Sequence, residues 1–354
     1  MGKVTKRPEV AVITGASAGV GRATACEFAR RGAHVALIAR GRDGLEGARR
    51  EVERAGGRAL VLPLDVADAD AVEHAAEATE RELGPIDVWV NNAMVSVFSP
   101  VREMRAEEYR RVTEVTYLGY VHGTLAALKR MLPRDRGCIV QVGSALAYRG
   151  IPLQSAYCAA KHAIQGFMDS LHAELIHDGS NVRVTMVQLP AVNTPQFDWV
   201  KSRLPREPQP VGPIFQPEVA ARAIHWAAHN ERRELYVGWP TVKAIVGNKL
   251  APELGDWYTA RYAYEGQETG EPAAPDRRDN LWEPVPGDHG ARGRFDDRAS
   301  ETSAQLWATT HRGLFALAGV GALLGAAAAK LLLDARERRF NDTQLERFRE
   351  GGVM

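Results

Sequence analysis

The chain has little cysteine: three residues in 354, Cys26, Cys138 and Cys158. An odd count without metal-ligand spacing gives no basis for a disulfide framework or a zinc ribbon, and points to free thiols in a reducing compartment. It lacks net charge as well. Forty-five Lys and Arg against 44 Asp and Glu leave +1, so no overall field recruits nucleic acid. Among His122, His162 and His172 no pair has the spacing of a zinc-binding helix, so these three are read as structural and no metal is expected. No secretion signal is expected: the basic stretch Met1–Pro8 leads into an apolar segment too short for a signal-peptide core. Lys6 stands where myristoylation wants Ser or Thr. There is no internal repeat.

What is present is an alternation of short apolar runs and longer helical stretches. Hydrophobic residues make up 45% of the chain, enough for a packed core. Strands are expected at Glu9–Thr14, His34–Ala39, Ala59–Pro63, Ile86–Val90, Cys138–Gly143, Val182–Gln188 and Leu235–Gly238. Helices are expected at Gly19–Arg31, Asp43–Ala55, Asp68–Leu83, Glu107–Met131, Ser155–His177 and Pro217–His229. Strands alternating with helices imply βαβ crossovers, hence an α/β fold with a doubly wound parallel sheet. Val10-Ala11-Val12-Ile13 is apolar without alternation, as expected of a strand covered on both faces.

Residues 1–264 are read as the cofactor-binding catalytic domain. Residues 265–304 are dense in Gly, Pro, Asp, Glu and Arg with few aliphatics, and read as a linker or a surface-hugging tail pinned locally by Trp282 and Phe295. Residues 305–354 form a third region. Gly313–Ala329 contains no charge, and with Lys330 and Leu331-Leu332-Leu333 the run is close to the ~20 residues that cross a hydrocarbon core. Gly321, Gly325 and Ala329 form a small-xxx-small ridge. Membrane association through 313–333 is the favoured reading, and an Ala-rich helix buried in a soluble oligomer is the other. Basic residues flank both ends, so charge gives no orientation. The expected location is a cytoplasmic catalytic domain with membrane association through this tail.

The turn Thr14-Gly15-Ala16-Ser17-Ala18-Gly19-Val20-Gly21 follows the first strand and opens the first helix. Gly15 permits the tight turn, Gly19 lets backbone approach a pyrophosphate, and Gly21 lets helix and sheet pack closely. Gly15, Ser17, Ala18, Gly19, Val20 and Gly21 are therefore assigned to a dinucleotide whose phosphates sit at the helix N-terminus. The second strand ends at Ala39, where an acid would hold a ribose 2′-hydroxyl, and Arg40 follows. A guanidinium suits a 2′-phosphate, so NADP(H) is favoured over NAD(H). Asp65, in Leu64-Asp65-Val66, is a candidate acceptor for the adenine amino group, or else a helix N-cap. Asn92 and Ala93, after the fourth strand, would line the cofactor floor.

Tyr157 and Lys161 are four residues apart and share a helix face. An ammonium beside a phenol favours phenolate, making Tyr157 an acid/base near neutral pH. Lys161 can also hold the nicotinamide ribose. Ser144 follows the fifth strand and can donate to the reacting oxygen.

These pieces together resemble the short-chain dehydrogenase/reductase family over roughly residues 8–240. The matching residues are Thr14–Gly21, Asp65, Asn91-Asn92-Ala93, Ser144, Tyr157-Cys158-Ala159-Ala160-Lys161, and Pro190 through Thr194. The resemblance implies a Rossmann fold and redox chemistry at an alcohol or carbonyl carbon. Tyr157 would be the proton donor or acceptor, Lys161 the ribose anchor, and Ser144 the substrate stabiliser. Val66 and Pro190 would border the cofactor, and Val192 and Thr194 would contact its carboxamide. The resemblance also implies a homodimer or homotetramer through Glu107–Met131 and Ser155–His177. Three positions depart from the family pattern: Met94 and Ala191 stand where glycine is usual, and Thr116 replaces the catalytic asparagine, with a hydroxyl of different reach. Thr116 is carried as a candidate catalytic residue.

On the substrate side, Gln196–Gln216 is read as either an apolar lid (Phe197, Trp199, Leu204, Phe215) or a packed surface loop. Trp239, Trp257, Tyr258, Tyr262 and Tyr264 would cap the pocket or pack an extra helix. The expected partner is a small hydrophobic carbonyl or alcohol. The competing readings are a non-catalytic NADP(H)-binding scaffold with a membrane-associated tail, and sugar-nucleotide epimerase or dehydratase chemistry. The last usually goes with a more closely spaced glycine turn.

Overall fold

The computed structural model describes residues 7–313 and Lys330. Its centre is one parallel sheet of seven strands: β1 (Val10–Thr14), β2 (His34–Ala39), β3 (Ala59–Pro63), β4 (Val88–Asn91), β5 (Cys138–Ser144), β6 (Arg183–Leu189) and β7 (Glu234–Tyr236). Their spatial order is β7-β6-β5-β4-β1-β2-β3. The chain runs outward from β1 in one direction and then, from β4, in the other. The switch between β1 and β4 opens a crevice at the carboxyl ends of the strands, where doubly wound sheets bind ligands. In-register pairs such as Val12↔Ala36 and Val12↔Trp89 fix the centre. Val10, Ala11, Val12 and Ile13 are all essentially inaccessible, the burial on both faces that their unbroken apolar character predicts.

Six helices cover the two faces: α1 (Gly19–Arg30), α2 (Arg42–Arg54), α3 (Ala69–Leu83), α5 (Gly119–Met131), α6 (Ser155–His177) and α7 (Pro217–His229), with the shorter α4 (Ala106–Thr113) preceding α5. The helix expected as one piece over Glu107–Met131 is therefore interrupted. Between α4 and α5 lies a wider π-turn, Glu114–Leu118. Such insertions recur at functional sites because the extra residue re-aims neighbouring side chains. Two further helices, α8 (Gly238–Leu250) and α9 (Pro252–Tyr258), follow β7 and carry Trp239, Trp257 and Tyr258.

Residues Met1–Ser303 form one compact unit and Ala304–Met354 a second. The polar segment after residue 264, as far as Ser303, belongs to the first unit. Glu268–Pro272 pairs with Arg206–Pro208, and Ala299-Ser300 with Ile214-Phe215. Leu281 is fully buried and Phe295 nearly so, whereas Trp282 stays half exposed. In the second unit the described helix is Ala304–Thr310. Among the described residues, no helix is long and apolar enough to cross a membrane. The apolar run 313–333 lies outside the described residues apart from Gly313 and Lys330.

Candidate active site

The carboxyl ends of β1, β4, β5 and β6 open into one cavity of about 1110 Å³. At one end it meets the glycine turn, with Arg40, Asp65 and Val66. Asn92 and Ala93 form its middle, and Ser144, Tyr157, Lys161, Pro190, Val192 and Thr194 the far end. Of the positions proposed from sequence, Gly21 and Thr116 do not line it.

Gly21 acts through packing. A Cβ there would stand 2.2 Å from the Gly15 carbonyl oxygen, so only glycine lets α1 start this close to the turn. Gly15 and Gly19 both have left-handed backbone, φ +69° and +58°. Asn92 secures the turn: its Nδ2 donates to the Thr14 carbonyl at 2.9 Å, and its backbone N–H donates to the Thr14 hydroxyl at 2.8 Å. Asn91 does the same for the floor, reaching Thr124 and Gln141 through Nδ2. The first turn of α1 has no acidic side chain, and Ala18 before it offers no side-chain cap. A helix start without carboxylates, beside left-handed glycines, is a cradle for an anion. The residues present thus fit a dinucleotide pyrophosphate.

Arg40 also faces the cavity. Its Nη1 donates to the Trp282 carbonyl at 2.7 Å and its Nη2 to that of Asn280 at 2.5 Å. These acceptors are neutral. Burial, with Arg111 nearby, pulls its pKa down while Asp65 and Glu283 oppose the fall, and a guanidinium stays charged regardless. Asp65 is less available than expected. It forms an ion pair with Arg111, and its Oδ1 accepts from the Ala67 N–H at 3.0 Å. The helix cap considered for it falls instead to Asp68, which accepts from the Ala71 N–H.

At the far end, Lys161 is almost wholly buried. Its Nζ donates to the Tyr120 hydroxyl at 2.9 Å and the Val142 carbonyl at 2.7 Å. Nζ lies 5.6 Å from the centre of the Tyr157 ring. Burial lowers the Lys161 pKa to about 7, so the ammonium is only part-charged near neutrality. Burial raises the Tyr157 phenol, and a hydrogen bond from Ser144 opposes that rise. The lowering of the phenol expected from Lys161 is not what this geometry shows; Ser144 is the group that favours phenolate. Ser144 Oγ in turn accepts from the Leu146 N–H at 3.1 Å, which leaves its own proton free to donate.

Thr116 also departs from expectation. It is fully buried, and its hydroxyl accepts from the Val95 N–H at 3.1 Å and donates to the Val95 carbonyl at 2.9 Å. Both hydrogen-bonding capacities are used on one backbone unit, so Thr116 pins the loop after β4 rather than relaying protons. Tyr120, one turn later, is the residue that meets Lys161. Its spacing of four from Thr116 on a helix is the sequence signal for it.

The buried lysine has a pH signature. The folded-state pKa of about 7 lies below the ordinary 10.5. Between those values the unfolded chain binds a proton that the folded chain has released, so stability rises with pH across that window. Below it, the full cost of burying the ammonium is felt. Removing the amine in Lys161→Met is expected to raise Tm relative to wild type most below pH 7, with the difference shrinking steadily toward 10.5. Thermal denaturation of both proteins across this range checks it; a pH-independent difference would show that Lys161 titrates normally.

The substrate end is apolar. Phe197 packs edge-on against Phe98 and Phe295, at 6.3 and 6.0 Å between ring centres. Leu204 and Phe215 are buried, so this segment is a packed wall rather than a loose lid. Trp239, Leu250, Leu254, Trp257 and Tyr258 border the mouth, and each is more than half exposed. Tyr262 and Tyr264 do not reach the cavity.

Comparison with known proteins agrees with this geometry. The short chain dehydrogenase family model matches residues 9–203. An oxidoreductase of Bacillus subtilis, YxnA, is 32% identical over 329 residues, covering 92% of this chain and 91% of that protein, well beyond the matched region. A fatty acyl-CoA reductase of Acinetobacter baylyi is 32% identical over 221 residues, 62% of this chain and 72% of its own. Among solved structures, an alcohol dehydrogenase from Thermococcus sibiricus, complexed with 5-hydroxy-NADP, has a TM-score of 0.57 at 28% identity, covering 65% of this chain and 96% of that one. A metagenomic short-chain oxidoreductase in complex with NADP has a TM-score of 0.55 at 28% identity, covering 65% and 97%.

Proposed function

The chain belongs to the short-chain dehydrogenase/reductase family, NAD(P)-binding oxidoreductases acting on CH–OH and C=O carbons, and from that premise we propose that it uses NADP(H) to interconvert a hydrophobic carbonyl compound and its secondary alcohol. The observation that carries this reading is the convergence of Ser144, Tyr157 and Lys161 with the glycine turn on one cavity.

The preference for the 2′-phosphorylated cofactor rests on Arg40. It faces the adenosine end of the cavity and has neutral partners, and the acid that a 2′-hydroxyl needs is absent at Ala39. The apolar character of the substrate rests on the far mouth and on the packed Phe98–Phe197–Phe295 wall. The Acinetobacter relative, named for a fatty acyl substrate, is in keeping with it.

Bound NADP(H) supplies or accepts the hydride. This chain handles the oxygen. Tyr157 gives its proton to the carbonyl oxygen in the reducing direction and takes it back in the oxidising one. Ser144, which hydrogen-bonds Tyr157 in the resting site, can turn its one hydroxyl proton to that oxygen as charge develops there. Lys161, fixed by Tyr120 and Val142, is held to bind the ribose. Intact Ser144, Tyr157 and Lys161 argue against a non-catalytic scaffold.

A screen of NADPH consumption over aldehydes, ketones and quinones of increasing apolar length is the test. Turnover is expected to rise with chain length. Turnover confined to small polar carbonyls would overturn the hydrophobic-substrate reading, and preferential use of NADH would overturn the cofactor reading.

A further inference from the structure

The polar segment after residue 264 crosses the cofactor cavity. Asn280, Pro284, Val285, Gly287 and His289 line its adenosine end, on the side facing Ser17, Arg40, Gly41 and Gly44. The crossing is anchored at both ends. At the first, Leu281 is buried, Lys201 pairs with Asp279 at 2.9 Å, and Asn280 N–H donates to the Trp199 carbonyl at 3.0 Å. At the second, Phe295 N–H donates to Asn193 Oδ1 at 3.0 Å, beside Val192 and Thr194. The strap therefore spans the length of the site, from the 2′-phosphate end to the carboxamide end.

Its middle is fastened differently, mainly by polar contacts, with the His289 ring edge-on to Trp199 at 4.7 Å between ring centres. Gly19 N–H, at the start of α1, donates to the Gly290 carbonyl at 3.1 Å. Arg22, with a nearly buried side chain, forms ion pairs with Asp288 and Glu51. Gly287 N–H donates to Asp43 at 3.1 Å. Gly287 and Gly290 have φ of +105° and +71°, bracketing Asp288 with two left-handed positions. The fit extends into α2, which carries two glycines at a cost in helix propensity. At Gly47, a Cβ would stand 2.1 Å from the Asp288 carboxylate, so this helix is shaped to let the strap approach.

Resting on the NADP(H) reading above, we propose that residues 283–290 are a latch over the bound cofactor. Asn280 and Trp282 present Arg40 to the 2′-phosphate, and the Arg22–Asp288 pair must open for the cofactor to enter or leave. An anion at the start of α1 and the Gly290 carbonyl compete for the same amide, so entry displaces the strap's middle while its apolar ends stay fixed. Closure then encloses the adenosine half, and exchange is set by latch opening.

The test is displacement of bound NADPH by excess NADP+ from the full-length protein, followed by nicotinamide fluorescence. Asp288→Ala is expected to raise the dissociation rate roughly tenfold or more, with weaker affinity, because the nearly buried Arg22 loses its partner on the strap. An unchanged rate overturns the latch. Tighter binding overturns it too, since the strap would then only block the cofactor and not retain it. A second variant guards against misfolding: Gly47→Cys with Asp288→Cys, loaded with NADPH and oxidised. The cross-linked form is expected to retain its cofactor and to release it on reduction; equal exchange in both forms overturns the proposal. Wild-type protein that binds no NADPH would instead overturn the cofactor reading, and the latch with it.

Discussion

Replacing Tyr157 by Phe is expected to lower kcat by about a thousandfold, within the 10²–10⁴ range of a positioned acid/base, while NADPH affinity stays within about twofold. The ring is half-buried and the substitution removes one oxygen, so the packing of α6 is kept. Ser144 keeps its bond from Leu146 and loses only the phenol it steadies. Binding and chemistry are thus separable at this position. Steady-state turnover with fluorescence titration of NADPH checks both halves. A variant that still turns over at a tenth or more of the wild-type rate would move the proton transfer to another group.

Replacing Arg40 by Asp is expected to weaken NADPH binding by about two orders of magnitude, because a charge-assisted contact is lost and a like charge is placed near a phosphate. NADH binding should hold or improve, since a carboxylate can accept from a 2′-hydroxyl. Arg40 has a second duty that complicates the substitution: it donates to the carbonyls of Asn280 and Trp282. Loosening of the strap alone would weaken both cofactors alike. A change in the ratio of the two dissociation constants is therefore the diagnostic quantity, measured by titrating each cofactor separately. An unchanged ratio would remove Arg40 from phosphate recognition.

Much of the sheet was legible because its strands are apolar without alternation and its helices are long. Each core strand expected from sequence lies within two residues of an observed one. The turn was legible because glycine at residues 15, 19 and 21 answers local needs: two left-handed backbones and one close approach. The pairing of Tyr157 with Lys161 was legible because helical spacing puts them on one face. Their electrostatics were not, since burial and the Tyr120 contact depend on residues far apart in sequence.

Thr116 shows another limit. Placing a candidate at a family's asparagine position assumes that the helix runs straight through it. Here a π-turn spans residues 114–118, and the hydroxyl goes to Val95. The strap was hidden for a different reason. Its mean composition is that of a solvated linker, and its order comes from a few residues, chiefly Leu281 and Phe295, inserted into a body already folded. A clue lay elsewhere in the chain: Gly47, inside a helix, marks a surface that something approaches closely, here Asp288 of the strap.

The most direct measurement is isotopic. NADPH carrying deuterium on the nicotinamide C4 is incubated with the full-length protein and a long-chain ketone, and the alcohol is analysed by mass spectrometry. Deuterium bound to the carbinol carbon, missing when Tyr157→Phe is used, is the expected result. Alcohol formed without the label, or no alcohol from any carbonyl although NADPH binds, would contradict the account.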